Sequence, residues 1–416
     1  MVYVLNKDRK PLMPTERHGK VRRMLRDGQA KVIRREPFTI QLLYGTTEYT
    51  QPITLGVDAG SKHIGLSAST AKKELYAGEV QPRTDVTEKL STCREARRAR
   101  RGRKTRHRKP RFDNQKRSKG WLAPSVQHKV DCHLNRIAFV HTILPVSKII
   151  VECAAFDTQK LKNPDISGKE YQQGDQMDFW NVREYVLFRD GHKCFHCGKE
   201  DVPLNVHHLE SRKTGGNSPS NLITLCEACH KKYHSLTEKQ QAKWKLPKRA
   251  PSLRDAAFMG IMRWALYGKL KEMYPNVSMT FGYITKNTRF RLGLEKSHVN
   301  DAYCIAGNLQ AKPLGTVLMQ KKVRWHNRQL HKLNICKGGK RKANQTPYLV
   351  KGFRLFDKVR YNGLDCFVSG RRATGSFALK TFEWKKVTDG VTCKKLRLLE
   401  ESRGYLQVKE VRDFLS

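Results

Sequence analysis

Short apolar runs dominate the first 81 residues. Val2-Tyr3-Val4-Leu5 and the stretch from Phe38 to Tyr44 read as strands, separated by a rigid Pro11-Leu12-Met13-Pro14 turn and a short basic helix, Lys20 to Arg26. Three consecutive strands follow, Ile53–Asp58, His63–Ser69 and Glu74–Val80, turned by Gly60 and by Ala71-Lys72. From 84 to 136 the pattern becomes helical, and Ser147 to Cys153 is a strand again. Apolar residues then recur near period 3.6 (Leu253, Ala257, Ile261, Trp264, Ala265), which predicts a helix over 253–275. A strand near 279–285 and a helix from about His298 come next. Segment 320–342 has little structural signal, with nine Lys or Arg and no acid. The last 70 residues alternate apolar and polar positions between Asn-Gly, Ser-Gly and Thr-Gly turns, so a small β-rich domain is expected there. The sum is an α/β multidomain chain.

Charge narrows the function. The 416 residues carry 82 Lys plus Arg against 38 Asp plus Glu, a formal net charge of +44. Self-repulsion of that size strains an isolated fold and calls for a polyanionic partner. No stretch approaches the ~20 apolar residues of a spanning helix, and the N-terminus lacks a charged-then-apolar signal pattern. A soluble, cytoplasmic nucleic-acid binder with no membrane partner is the expectation. The eleven cysteines agree, because an odd number without a secretion signal argues against a disulfide framework.

Three clusters carry candidate chemistry. Arg94 to Lys119 holds fourteen Lys or Arg and two acids. Its arginines, among them Arg94, Arg97, Arg98, Arg100, Arg101, Arg103, Arg106 and Arg108, fall on every face of a helix over Thr92–Lys109 that Pro110 ends. Such a helix needs phosphates around it; the bland alternative is a disordered basic segment. Second, Cys194/Cys197 and Cys226/Cys229 form two Cys-x-x-Cys pairs with tetrahedral zinc spacing. The loop between and after them contains His207-His208, Gly215-Gly216-Asn217, Asn221-Leu222 and His230. Third, acids stand where apolar neighbours make them costly: Asp58 ends a strand, Glu152 lies in Ile149-Ile150-Val151-Glu152, and His298 and Asp301 sit at i, i+3 of a starting helix. Each alone reads equally as a satisfied buried acid or a cap.

The cysteine-histidine stretch, residues 178–240, resembles the HNH endonucleases, a zinc-bound ββα-metal module. That resemblance implies His208 as general base, Asn221 as the residue fixing its tautomer, and His207 and His230 on one Mg²⁺. Zinc on Cys194, Cys197, Cys226 and Cys229 would be structural. Many relatives have Asp where this chain has His207, which leaves the catalytic metal open. His234 reads as a surface or packing histidine. The acids, in the order strand Asp, strand Glu, helix His-x-x-Asp, resemble the RuvC-type RNase H-like nucleases. There Asp58, Glu152 and Asp301 would bind two Mg²⁺ and His298 would steer the water.

The order of parts resembles the IscB family of transposon-encoded, RNA-guided nucleases, relatives of the type II CRISPR effector. It implies a basic Pro-Leu-Met-Pro domain (1–50) and a split RuvC fold (51–83, 137–165, 250–315) around an arginine-rich bridge helix region (84–136). The HNH module would be inserted before the third segment, and 316–416 would be a basic linker and a β-rich nucleic-acid-binding domain that reads a short duplex motif beside the target. Its stretches Phe353–Gly363 and Gly370–Gly375 look like a small SH3-like barrel, for which guide binding alone is the alternative. The partners implied are one long structured guide RNA per chain and target double-stranded DNA. HNH would cut the guide-paired strand and RuvC the displaced one. Competing readings are an unguided junction-resolving or homing-type nuclease and a non-enzymatic zinc-containing RNA-binding protein. The metal-site residues oppose the latter; the arginine helix and Pro-Leu-Met-Pro unit oppose the former.

Overall fold

A computed structural model describes residues 1–101, 118, 120–153, 176, 179, 181–212, 216–244, 246, 254–324 and 346–412. The chain divides into two compact units, Met1–Ala154 with Met259–Ser416, and Ala155–Phe258.

The larger unit begins with β1 (Tyr3–Leu5), α1 (His18–Arg26), β2 (Ala30–Arg34) and β3 (Thr39–Leu42), a three-stranded sheet in the order β1-β3-β2. Val21 and Met24, three apart on α1, pack onto Val2, Val4, Ile40 and Leu42, so the helix buries one narrow stripe and keeps its basic face in water. Next come β4 (Thr54–Asp58), β5 (Ile64–Ser69), β6 (Glu74–Gln81), α2 (Val86–Arg101), α3 (Pro124–His141) and β7 (Lys148–Glu152).

The smaller unit holds α4 (Val182–Arg189), β8 (Leu204–His208), β9 (Leu222–Cys226), α5 (Glu227–Ser235) and α6 (Glu238–Lys243). Its hairpin pairs His207 with Ile223 and Leu204 with Cys226. Leu225, Cys194 and Cys226 are its small apolar centre, too little to hold about 60 residues without a staple. α7 (Arg254–Met273) leads back into the larger unit, followed by β10 (Val277–Thr280), α8 (Gly282–Arg291), α9 (His298–Ala306) and β11 (Thr316–Lys322). The chain closes with β12 (Lys358–Tyr361), β13 (Leu364–Arg371), β14 (Ser376–Lys380), β15 (Lys386–Thr392), β16 (Arg397–Glu400) and β17 (Tyr405–Val411).

A seven-stranded sheet in the order β10-β7-β4-β5-β6-β11-β17 forms the centre of the larger unit. β4, β5 and β6 are an antiparallel meander, whereas β7 joins β4, and β10 joins β7, in parallel. Leu55, Val57, Ile64 and Leu66 are fully buried, as expected of a sheet covered on both faces. α9 packs across β4 and β5 at glycines: a Cβ on Gly56 would collide with the Ala302 carbonyl, and one on Gly65 with the His298 carbonyl. The glycines of the Gly56-to-Gly65 stretch thus let the helix backbone approach the strands.

Several expectations are corrected. The strand near 279–285 ends at Thr280, and Gly282 opens a helix; the run Thr280-Phe281-Gly282-Tyr283-Ile284-Thr285 is rich in residues that favour strands, and tertiary packing overrides that preference. β2 was not foreseen. The basic helix starts earlier than expected, at Val86, and is followed to Arg101; Arg103, Arg106 and Arg108 lie outside the described residues. Residues 316–416 are not one domain, because β11 and β17 belong to the central sheet, β11 beside β6. Only β12–β16 form the separate five-stranded sheet, in the order β15-β14-β13-β12-β16, around Val359, Val368, Phe377 and Leu379. Among the described residues, no helix is long and apolar enough to cross a membrane.

Candidate functional site

Two clusters of chemistry stand in the two units. In the larger one, Val57 pairs with Val151, so the next residues along the parallel strands β4 and β7 are Asp58 and Glu152. Carboxyl ends of adjacent parallel strands are where open α/β sheets bind ligands. α9 adds His298 and Asp301; its start is fixed by Ser297, whose hydroxyl accepts the Asn300 N–H. His298 Nδ1 lies 2.6 Å from Asp58 Oδ2, within hydrogen-bond reach.

All four residues predicted for this site therefore share one corner of the sheet. Each carboxylate there leans on a basic side chain. Asp58 has His298, Glu152 has Arg263 (3.1 Å), and Asp301 has Arg289 (2.9 Å). Burial raises the Glu152 pKa and the Asp58 charge adds to it; the same two causes raise Asp301. Mutual repulsion of this kind is what a cation between carboxylates would relieve. The hydrogen bond to Asp58 raises His298, making its imidazole a stronger base.

Sequence reasoning missed four residues here. Arg263 on α7 also donates to the Ala59 carbonyl, tying β4's end to the helix. Arg289 lies on the helix mistaken for a strand. His63 stacks on His298, rings 2° from parallel at 5.1 Å, and its Nδ1 is 2.7 Å from Glu79. Of the four, only His63 is named in the sequence pattern, as the first residue of an expected strand.

Farther from the carboxylates, α9 is held by a buried ion pair. Arg412 donates to Glu74 (2.7 Å) and to the Asn300 side chain (2.8 Å), with Glu74 fully buried. Glu74 also accepts from Ser67 (2.5 Å) and the Leu314 N–H (2.8 Å).

In the smaller unit, Cys194, Cys197, Cys226 and Cys229 place their sulfurs within 4.8 Å of one another. Cys226 caps α5, its sulfur accepting the Cys229 N–H, so the second Cys-x-x-Cys is built at a helix start. The Cys197–Cys226 sulfur separation of 3.7 Å matches the edge of a tetrahedron with ~2.3 Å metal–sulfur bonds, about 3.8 Å. Burial pushes the Cys194 thiol up, but N–H groups of Cys197, Cys226 and His196 outweigh it and bring it down to about 7. Cys229 moves the other way, raised by burial and by the three sulfurs around it, and four sulfurs clustered this closely could hold a metal ion.

Beside it, His207, His230 and His234 bring ring nitrogens within 4.8 Å of one another. His234, expected to be a packing residue, is thus part of this cluster: α5 carries it one turn beyond His230, with their Nε2 atoms 3.3 Å apart. His207 Nε2 is buried without a hydrogen-bond partner. Burial first, then its three histidine neighbours, lowers His207 to about 4, so its lone pair is free at neutral pH. A buried donor atom with nothing to bind is the feature that fits an ion.

His208 and Asn221 depart from expectation. Asn221 accepts the Glu210 N–H (2.8 Å) and donates to the carbonyls of Glu210 and Gly216 (3.0 Å each). Its amide is spent closing the loop after β8, and Asn217 is what reaches His208 Nε2 (3.1 Å). Of the arginines, Arg94, Arg97 and Arg98 are exposed along α2, as a phosphate-binding helix requires; Arg100 and Arg101 lie in the same helix.

The model of RRXRR proteins matches residues 2–174, and that of HNH endonucleases matches 194–236. Uncharacterized protein YisB of Bacillus subtilis (strain 168) is 32% identical over 71 residues, 17% of this chain and 70% of that protein. Anaredoxin of Nostoc sp. (strain PCC 7120) is 33% identical over 54 residues, 13% of this chain and 71% of that protein. Among solved structures, Streptococcus thermophilus Cas9 in complex with the AGAA PAM is 14% identical with a TM-score of 0.32, and 45% of this chain spans 26% of that one. The Type II-C Cas9 from Actinomyces naeslundii is 17% identical with a TM-score of 0.16, over 46% of this chain and 32% of that one. An RRXRR region followed by an HNH endonuclease domain with its clustered metal-ligating side chains is the signature of the IscB family, and this chain, a metal-dependent nuclease, belongs to it.

Proposed function

We propose that the protein is an RNA-guided double-strand DNA endonuclease with two independent centres. In this reading the HNH unit cuts the guide-paired strand and the carboxylate corner of the larger unit cuts the displaced strand. The observation that carries it is the presence of two ligand sets in separate compact units, with no residue in common. The meander β4-β5-β6 extended by the parallel β7 and β10 supports an RNase H-like, RuvC-type assignment for the larger unit. The exposed arginines of α2 support its reading as the bridge to a nucleic acid.

Divalent ions at these sites would supply a hydroxide nucleophile at neutral pH and a clamp on the scissile phosphate. Asp58, Glu152 and Asp301 offer the hard oxygen donors that suit Mg²⁺. The three histidines offer nitrogen instead, which suits a borderline ion such as Zn²⁺, Fe²⁺ or Ni²⁺ better than Mg²⁺. The four cysteines suit structural Zn²⁺. If His208 Nε2–H donates to Asn217, Nδ1 is left to take the proton from the attacking water. His298, held by Asp58 through Nδ1, presents Nε2 for the same task at the other centre.

Strand-labelled duplexes test the pair. His208→Ala removes a general base, a loss of ~10²–10⁴-fold, and should spare the displaced-strand cut. Asp58→Ala should do the reverse, and the double variant should still bind target. Abolition of both cuts by either single change would replace two centres with one. Equal cutting by RNA-free protein would favour an unguided nuclease.

A further inference from the structure

Away from both centres, a cleft of about 100 Å³ opens where β2, α3 and the C-terminal strands meet. Its wall carries Arg34, Arg136 and Arg403 together with Glu400, Phe139 and Tyr405. Two other charges at the rim are already spent: Lys358 pairs with Glu36 (2.8 Å), and Glu401 with Arg354 (3.0 Å). Three guanidinium groups therefore face one carboxylate, and among the described residues none of the three makes an ion pair within 4.0 Å.

Two of the arginines are also held in place. Arg34 and Arg136 both stack on Phe139, at 4.6 and 4.8 Å, and Arg136 lies 3.7 Å over Tyr405. Arg34 Nη1 and Arg136 Nε are buried with no hydrogen-bond partner. Burial, then the charges of Arg403 and Arg136, bring Arg34 down to about 10. Like charges fixed side by side with donors unused are costly for a protein alone. They become favourable once an anion accepts from them, and planar guanidinium forks match phosphate oxygens.

We propose that this cleft binds one phosphate group of a nucleic-acid strand, pinning together the N-terminal sheet, α3 and the C-terminal strands. The cleft has room for a phosphate group, and its guanidinium lining suits one. A chain with net charge +44 and nuclease activity meets phosphate as nucleic acid. The site depends on neither RNA guidance nor the two-centre reading, and the same chemistry arises from a strand terminus or an internal diester.

Thermal unfolding of the full chain at constant ionic strength tests it, with inorganic phosphate replacing chloride. The midpoint should rise with a saturable, single-site dependence. Arg34→Met and Arg403→Gln should each raise the apparent dissociation constant about tenfold, the value of one charge-assisted hydrogen bond. Arg22→Gln, an exposed arginine of α1, should change nothing. Should Arg34→Met not fold, the exposed Arg403 still carries the test. A uridine dinucleotide with and without a 5′-phosphate separates the sources. Stabilisation by the phosphorylated form alone assigns a strand terminus, and equal stabilisation an internal diester. If neither dinucleotide acts through the arginines, or phosphate stabilises both variants like the wild type, the site is not one for nucleic acid.

Discussion

Asn217 and Asn221 stand four residues apart in one loop and do different work. Asn221 satisfies three backbone groups, so Asn221→Ala should lower the stability of the HNH unit by about 1–3 kcal/mol, the cost of stranding buried polar groups. Asn217 touches His208, so Asn217→Ala should leave the melting temperature alone and shift the pH profile of the HNH cut. Melting curves and pH–rate profiles of both variants check this. A second expectation concerns His234. Its replacement by Ala removes one of three clustered imidazoles and should weaken that metal site by more than the ~10–100-fold that loss of a supporting partner costs. The cysteine metal should remain, as metal content per chain will record. Residue identity was legible in the sequence wherever a motif fixed spacing: the Cys-x-x-Cys pairs, His207-His208 and the strand acids. His234 was not, because one further turn of a helix carrying a histidine looks the same on a surface as in a ligand set. Arg263 and Arg289 escaped for another reason, since partners from distant helices leave no local pattern.

Elements set the geometry of the carboxylate corner through close approach. Gly56→Ala or Gly65→Ala would drive a methyl into the backbone of α9 and push His298 and Asp301 off the sheet. Overpacking of this sort costs ~1–3 kcal/mol, and the cut proposed for the carboxylate corner should fall more than global stability does. Denaturant curves beside single-turnover rates separate the two. α3 supplies a pH effect. His133 is fully buried and its Nδ1 bonds the Lys129 carbonyl, with Nε2 unpartnered. Burial lowers it to about 4 from 6.5. The unfolded chain thus binds the extra proton throughout that window, and stability falls as pH drops from 6.5 to 4, by about 3 kcal/mol in all. Urea titrations at several pH values should show the slope, and His133→Gln should flatten it. The meander β4-β5-β6 was plain from alternation and glycine turns. α8 was not, because a short aromatic and β-branched run has no period of its own.

For the whole molecule, +44 charges dominate behaviour before any chemistry. Nucleic-acid-free protein should aggregate at low salt and become compact when RNA is added, which light scattering can follow. Replacing Arg94, Arg97 and Arg98 by Gln should reduce the salt slope of single-stranded RNA binding by about two, at ~0.7 per lost phosphate contact. An inserted metal module was legible because its cysteines bracket it; the return of β17 to the central sheet was not, since nothing near 405–411 reveals a partner at 316–322. That return has a temporal meaning. Arg412 is what grips Asn300 and Glu74, yet the ribosome makes it long after Asp58 and Glu152 have emerged, in a chain that folds from its N-terminus onward. Until β17 and Arg412 have been made, the helix bearing His298 and Asp301 lacks its clamp. The carboxylate corner that opens on β4 is thus completed only by a strand made near the other end of the sequence.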